Sequence, residues 1–484
     1  MRSWLLFLFA PMLLFSGSER LRIAIQAFPV SLNPVYATDE TSQAILNKIH
    51  RALFSFDFQG RPQNELADTV RIDEKMLRIF ISLKKGVFFS TGRELGSDDV
   101  VATVALLKEP RFQYPYQTDL SHIDRVEKID RYGVTLHLRA PFAPWRNYLT
   151  FKILNADEIS RITPESFRRL NPSGCGPYRI VRFHEPTSVW LQRNSNNLHR
   201  RHRFFEIEYQ VQRDPRQTPL KLLTSEIDAA ELQNEDLPAY AASPEWQRCF
   251  RIIRYQKFGY TYLVFNLRNR ILSLPLRQLI RRRILEGNFL DVFLAGNGRK
   301  VWSPFLFLSG KFAAGRTSIV STSWPCRLKI LTNSESRLRR NLLLFLIEEL
   351  KPLGIELEPV FVEYHTFLKY LREKNFDLAV SALLLDLDWN LKDVLSSNGY
   401  FNYAGYSNRE MDSLLDEGLR EMDDQKREEL YRRAHHLWSE DLPLLPLFNL
   451  YYHMAVSKNI RMDSRELRMI GSTGDFFYDI DRWP

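Results

Sequence analysis

The sequence predicts an α/β protein of two or three domains, and three observations carry this expectation. Its 484 residues exceed what a single hydrophobic core usually holds. Short apolar runs with a period of two recur along the chain, as in Leu21, Ile23, Ile25 and Ala27, or Leu77, Ile79, Ile81 and Leu83, which is the pattern of half-buried strands. Elsewhere apolar residues fall at helical spacing, as in Leu338, Leu342, Phe345, Leu346 and Leu350, so helices are interleaved with the strands.

The elements follow in order. Met1-Arg2 and the apolar run Trp4 to Phe15, then Ser16-Gly17-Ser18, fit a secretory signal at residues 1–18, too short to span a bilayer as an ordinary helix. The mature chain is expected to begin near Glu19; an uncleaved anchor is the alternative. The first strand ends at Pro29 and Leu32-Asn33-Pro34, and Ala44, Ile45, Ile49, Ala52 and Leu53 give a helix after it. Lys84-Lys85-Gly86 closes the strand Leu77 to Leu83. Ser97 is the expected N-cap of the next helix, and Asp98 and Asp99 complement its dipole. Val134, Leu136 and Leu138 form a further strand that stops at Pro141.

The most informative stretch runs from Phe376 to Phe448. An apolar run from Leu378 to Leu385 is interrupted by Asp386-Leu387-Asp388-Trp389-Asn390, and Ser397-Asn398-Gly399-Tyr400-Phe401-Asn402 supplies turn residues and aromatics. Carboxylates and aromatic faces at a strand end suit a polar ligand with apolar parts; a surface loop after a strand is the competing reading. Helical faces follow at Met411, Leu414, Leu415, Leu419 and Met422, and at Leu430, Tyr431, Ala434, Leu437 and Trp438. Pro443 and Pro446 then open an extended segment from Leu444 to Met454.

Composition narrows the function classes. A net charge of +9 from 67 basic and 58 acidic residues is spread along the chain. Its densest clusters, Arg200-Arg201-His202-Arg203 and Arg281-Arg282-Arg283, lack interleaved stacking aromatics and read as solvated faces, so no nucleic-acid partner is expected. Three cysteines, Cys175, Cys249 and Cys326, allow at most one bridge. No nucleophile elbow, His-Glu-x-x-His pair, Walker loop or dinucleotide fingerprint occurs. His435 and His436 point to different faces of a helix and do not share an ion. No catalytic residue, metal ligand or cofactor is therefore expected.

A set of weak motifs in a fixed order resembles a known family. Leu32-Asn33-Pro34, Leu83 to Gly92 and Ser97-Asp98-Asp99-Val100-Val101 are similar to the opening of the oligopeptide, dipeptide and nickel class of extracellular solute-binding proteins, family 5, of ABC importers. Asn171 to Tyr178 resembles that family's Gly-Thr-Gly-Pro-Tyr turn, with Cys175 for Thr. Glu226-Ile227-Asp228-Ala229, Phe265-Asn266, Pro352-Leu353-Gly354-Ile355, Phe376-Asp377-Leu378-Ala379, Tyr406 to Asp412 and Leu442 to Leu447 continue the series. The acidic loop at Asp386 to Trp389 is shorter than is usual in the family, and Asn197-Leu198 stands where an aromatic pair is common.

The resemblance implies a periplasmic-binding-protein-like α/β fold, two lobes joined by a hinge with an extra domain inserted in the first. Lobe one is expected at 19–42, 158–258 and 445–484, the insertion at 43–157 and lobe two at 259–444. It implies an exported monomer, periplasmic or extracytoplasmic, that binds an oligopeptide in the interlobe cleft and delivers it to the permease subunits of an ABC transporter. Asp386, with Asp388 as understudy, would hold the peptide's α-ammonium group, and Trp389, Asn398, Tyr400 and Phe401 would line the cleft. A nickel chelate or another small solute, a sensor built on the same fold, and a peptide hydrolase are the alternatives; for the sensor, residues 1 to 20 leave no room for a DNA-binding domain.

Overall fold

One strand, Leu444–Ser457, runs through both lobes and sets the architecture. Its 14 residues are buried at Leu444 to Asn449 and again at Met454 to Val456, as expected of a strand covered first by one lobe's helices and then by the other's. The computed structural model describes residues 20–484 except 58, 76, 198–203, 307, 309–323, 386, 463–467, 471–474, 481, 482 and 484. The expected leader at 1–18, the basic cluster at 200–203, Leu198 and the candidate Asp386 lie outside the described residues.

The first half of Leu444–Ser457 pairs with Gly259–Phe265, beyond which lie Leu378–Leu384, Cys326–Asn333 and Ile355–Val362. The second half pairs with Phe250–Lys257 and with Ala229–Leu232, and through the latter with Arg20–Ile25, Glu206–Val211, Ser188–Arg193 and Tyr178–His184. Each half is a mixed sheet, parallel at Cys326–Asn333 with Ile355–Val362 and at Arg20–Ile25 with Glu206–Val211. In the second lobe the helix Arg337–Leu350 makes the crossover between the two parallel strands, and its stripe Leu342, Leu343, Leu346 and Leu350 is buried. This lobe has one core, from Phe258 to Phe448.

The insertion is a four-stranded antiparallel sheet in the order Ala67–Asp73, Arg78–Leu83, Gly133–Leu138, Ile123–Asp130, with the helix Ser97–Lys108 packed beside it. Its core carries on to Phe167 and Cys175. The helix Glu40–Ile49, by contrast, buries Ile45, Leu46 and Ile49 in the first lobe. Val35 and residues from Leu53 to Cys175 thus share the insertion's core while Glu40–Ile49 between them packs in the first lobe, because apolar faces, not sequence continuity, choose the partner.

Two local expectations are corrected. Gly96, not Ser97, is the N-cap of Ser97–Lys108: the Asp99 carboxylate accepts the Gly96 N–H at 2.8 Å, while the Ser97 hydroxyl is drawn to the Asp130 carbonyl. In the cluster Arg281–Arg283, Arg281 is buried, its guanidinium 5.3 Å from the Trp438 ring, so this is not a wholly solvated face. The glycines of the turn at Asn171–Tyr178 have a packing reason, since a Cβ on Gly174 would stand 1.9 Å from the Ile49 carbonyl oxygen.

Where the chain crosses between lobes, Asn449 is buried and fastens the two crossing strands together. Its amide donates to the carbonyls of Lys257, at 2.7 Å, and Gly259, and its oxygen accepts from Gln256 Nε2 at 2.6 Å. Asn449→Leu leaves Gln256 and two carbonyls unpaired, and unfolding in urea should show a loss of about 2–4 kcal/mol. An unchanged midpoint would mean that water replaces the amide.

Candidate functional site

The strand directions bring two sheets' ends to the crossover. Ala229–Leu232 runs toward it, with Ala229 opposite Val456 and Leu232 opposite His453, and Arg20–Ile25 is parallel to it. From the other lobe Leu378–Leu384 arrives, with Leu378 opposite Phe265 and Leu384 opposite Gly259. Carboxyl ends of strands that converge in this way form the crevice where α/β proteins bind ligands. Gly259 is required there, because a Cβ would lie 2.1 Å from the Leu383 carbonyl oxygen.

A cavity of about 170 Å³ opens at this point, lined by Glu40, Lys257 and Tyr452 on the first lobe and by Tyr260, Thr261 and Ala382 to Leu384 on the second. Lys257 Nζ lies 2.6 Å from Glu40 and 4.7 Å from the Tyr452 ring. Burial works to lower the Lys257 pKa, but the carboxylates of Glu231 and Glu40 outweigh it and hold the ammonium above its ordinary value. The Tyr260 hydroxyl is buried without a hydrogen-bond partner, and burial pushes its pKa up.

The strand Leu378–Leu384 also presents an open edge here. Cys326–Asn333 pairs with it only at Leu378 and Ala379, and the Val380 carbonyl takes the Thr332 hydroxyl at 3.1 Å. Beyond that, among the described residues, no strand covers Ser381–Leu384 on the side away from Gly259–Phe265. Ala382 and Leu384 are exposed.

A second cavity, of about 70 Å³, lies where all three parts meet. The first lobe supplies Asn47 and Asp475, the insertion Arg51, Phe54 to Asp57, Glu65, Thr150 and Lys152, and the second lobe Leu387. Asp475 is paired with the buried Lys48 at 2.7 Å and accepts from Asn47 Nδ2 at 3.0 Å. Glu65 is paired with Arg51 at 3.1 Å and accepts the Ala52 N–H at 2.8 Å. Beside them His50 is buried, and burial, with the Lys152 charge second, lowers its pKa to about 3.

The candidate residues separate into two groups. Asp388 accepts both Arg427 terminal nitrogens, at 2.7 and 2.9 Å, and the Asn390 N–H at 2.8 Å. Both members of this pair are 8% exposed. Trp389 is partly buried, 5.4 Å from the same guanidinium and edge-on to Tyr431 at 6.0 Å. The pair ties the loop after the strand to the helix Asp424–Asp441 and gives Asp388 a partner within the chain. Asn398 is exposed in a turn, Tyr400 accepts from Arg372 at 2.7 Å, and Phe401 meets Tyr400 edge-on at 4.9 Å.

Asn398, Tyr400 and Phe401 are not brought to either cavity. Their loop is fixed at the outer end of the sheet, where Leu267 N donates to Ala404 O and Asn402 O accepts from Lys374. Phe265 and Leu378 mark that end, roughly 20 Å along the strand from the crossover. The cavity residues Glu40, Lys257, Tyr260, Tyr452, Arg51 and Lys152 went unread in the sequence. One signal was available: Lys152 stands alone in the apolar run Phe151-Lys152-Ile153-Leu154.

Residues 61–280 match the family described as bacterial extracellular solute-binding proteins, family 5 Middle. The chain is 21% identical over 476 residues to the oligopeptide-binding protein AppA of Bacillus subtilis, covering 89% of this chain and 86% of that one. It is equally 21% identical to the glutathione-binding protein GsiB of Salmonella paratyphi A, covering 90% of each. Among solved structures, AppA of Bacillus subtilis with a nonapeptide superposes with a TM-score of 0.75 at 20% identity, covering 96% of this chain and 98% of that one. The substrate-binding protein CtaP of Listeria monocytogenes gives 0.83 at 21% identity with the same coverage. NikZ of Campylobacter jejuni with Ni(L-His) gives 0.77 at 20% identity, covering 96% and 99%. These likenesses establish the two-lobed binding-protein fold.

Breaking the Asp388–Arg427 pair leaves a buried guanidinium uncompensated. Asp388→Asn should therefore lower unfolding stability by about 3 kcal/mol while changing ligand affinity less than about twofold. Calorimetric unfolding and titration together check this; a stable variant with lost affinity would return Asp388 to the ligand.

Proposed function

We infer that this chain, a family 5 bacterial extracellular solute-binding protein, captures peptides in the cleft at the strand crossover and delivers them to the permease of an ABC importer. The observation that carries the reading is the open edge Ser381–Leu384 beside the cavity at the crossover. An extended peptide can add to such an edge through its main chain, whatever its sequence, while its side chains enter separate pockets. The names of two relatives, an oligopeptide-binding protein and a glutathione-binding protein, support a ligand with peptide bonds.

The two lobes share the ligand, so binding favours the closed form in proportion to the contacts that only closure supplies. That difference is what a permease would sense. Export of the chain, through the apolar leader expected at 1–18, puts it on the same side of the membrane as its ligand.

Asp386 is proposed as the partner of the peptide's α-ammonium group. It stands in the sequence between Leu385, whose N–H donates to the Phe258 carbonyl at 2.9 Å, and Leu387, which lines the second cavity. An ammonium ion drawn from water into a closed cleft requires a carboxylate partner. Losing such a pair is worth about 3–5 kcal/mol, or on the order of a hundredfold to several thousandfold in affinity.

Native mass spectrometry of the purified protein should reveal a co-purified peptide. In calorimetric titration, N-acetylation of that peptide and Asp386→Asn should each weaken binding on the scale just given. Tight binding of the acetylated peptide by the unaltered protein would remove the ammonium anchor, and failure to bind any peptide would remove the peptide reading.

A further inference from the structure

We propose that Lys152 is a recognition residue whose ammonium group receives a carboxylate of the bound ligand, in the cavity between the first lobe, the insertion and Leu387 of the second lobe. The inference deepens the peptide-binding reading and rests on it for the class of ligand. It starts from the charges in the cavity wall. Three carboxylates are present, and each has a base of its own: Asp57 with Arg61 at 3.0 Å, Glu65 with Arg51 at 3.1 Å, and Asp475 with Lys48 at 2.7 Å. Lys152 is the wall's remaining cation, and among the described residues its ammonium group has no ion-pair or hydrogen-bond partner.

Its position is fixed by the backbone. Residues 52 and 152 form an antiparallel bridge, and Ile153 N donates to the Arg51 carbonyl at 2.9 Å. Ile153 and Leu154 are buried in the insertion's core, while Lys152 lines the cavity. The neighbouring His50 has a pKa near 3 and is uncharged at neutral pH, so it neither competes for an anion nor supplies one.

An ammonium group in this setting loses hydration, and the nearby carboxylates of Glu65 and Asp475, each paired with another base, only partly offset that loss. Burial accordingly lowers the Lys152 pKa, with Glu65 opposing and Arg51 adding to the effect. A chain that keeps an unpaired cation at the meeting point of three domains gives up stability that a ligand anion would restore. In a peptide, that anion is either the terminal carboxylate or an acidic side chain. Because the wall includes Leu387 as well as the first lobe, pairing there also favours the closed arrangement.

The test uses the full mature protein, with Lys152→Met and Lys152→Arg, titrated calorimetrically with trialanine, trialanine amide, Ala-Glu-Ala amide and Ala-Gln-Ala amide. In the unaltered protein one of the two carboxylates should improve binding by roughly tenfold or more over its neutral counterpart, and the pair that responds identifies the source. Lys152→Met should bind charged and neutral probes alike, and Lys152→Arg should keep the preference. A preference that survives Lys152→Met overturns the proposal, as does its absence from the unaltered protein.

If the unaltered protein binds none of these peptides, the functional reading falls and Lys152 is judged separately by melting in succinate. A stabilising shift in the unaltered protein and Lys152→Arg, absent from Lys152→Met, supports the anion site; equal shifts in all three overturn it. Without ligand, Lys152→Met should melt no lower than the unaltered protein. A large drop would show that the ammonium has a structural partner and would overturn the proposal as well.

Discussion

The crossing of two strands between the lobes is the constraint on which the rest depends. Asn449 satisfies two carbonyls and one side-chain amide at the point where Phe250–Lys257 gives way to Gly259–Phe265. A buried polar network of this kind is favourable only when every member is paired. Here the pairing fixes the register of both lobes on one strand, because Leu444–Ser457 is shared by them. It also fixes where the strand end Leu383–Leu384 lies, through the close approach of Gly259 to the Leu383 carbonyl. Fold and open edge are therefore set by the same few residues.

The insertion is more than an appendage of the first lobe. Leu419 and Met422 of the second lobe pack against its core, and Phe56 of the insertion packs against the core of the second lobe. Ala143 N donates to Leu419 O at 2.8 Å, and Asn147 Nδ2 to Leu387 O at 2.6 Å. Movement of the second lobe would break or carry these contacts, so the insertion would take part in the closure proposed for ligand binding.

Ion pairs fasten other parts of the fold. The pairs Asp388–Arg427, Asp475–Lys48 and Glu40–Lys257 each set a carboxylate against a base in a desolvated position. The first fastens a loop to a helix, the second joins the helix Glu40–Ile49 to the C-terminal part of the chain, and the third lies on the rim of the cleft. Such pairs contribute less net stability than well-packed apolar groups would, but removing one partner is costly, which makes their geometry well defined.

The sequence by itself determined the α/β class, the order of elements and the family resemblance. Those rest on local periodicity and turn chemistry, which survive in any context: Leu378 to Leu385 was read as a strand and is one from Leu378 to Leu384, and the stripe Leu338 to Leu350 lies on the helix Arg337–Leu350. The division of the chain among cores was less legible, since Ile45 and Cys175 declare their partners only once packed. For the site, the tertiary structure decided which polar residues are available. Asp388 carries the residue type of a ligand anchor, yet Arg427 arrives from 39 positions away to occupy it. Lys152 stands out only in the folded chain, where each carboxylate described in its cavity wall is paired with another cation. A sequence fixes what a side chain can bind; only the assembled neighbours determine what remains unbound, because pairing depends on distances of a few ångströms between residues far apart in the chain.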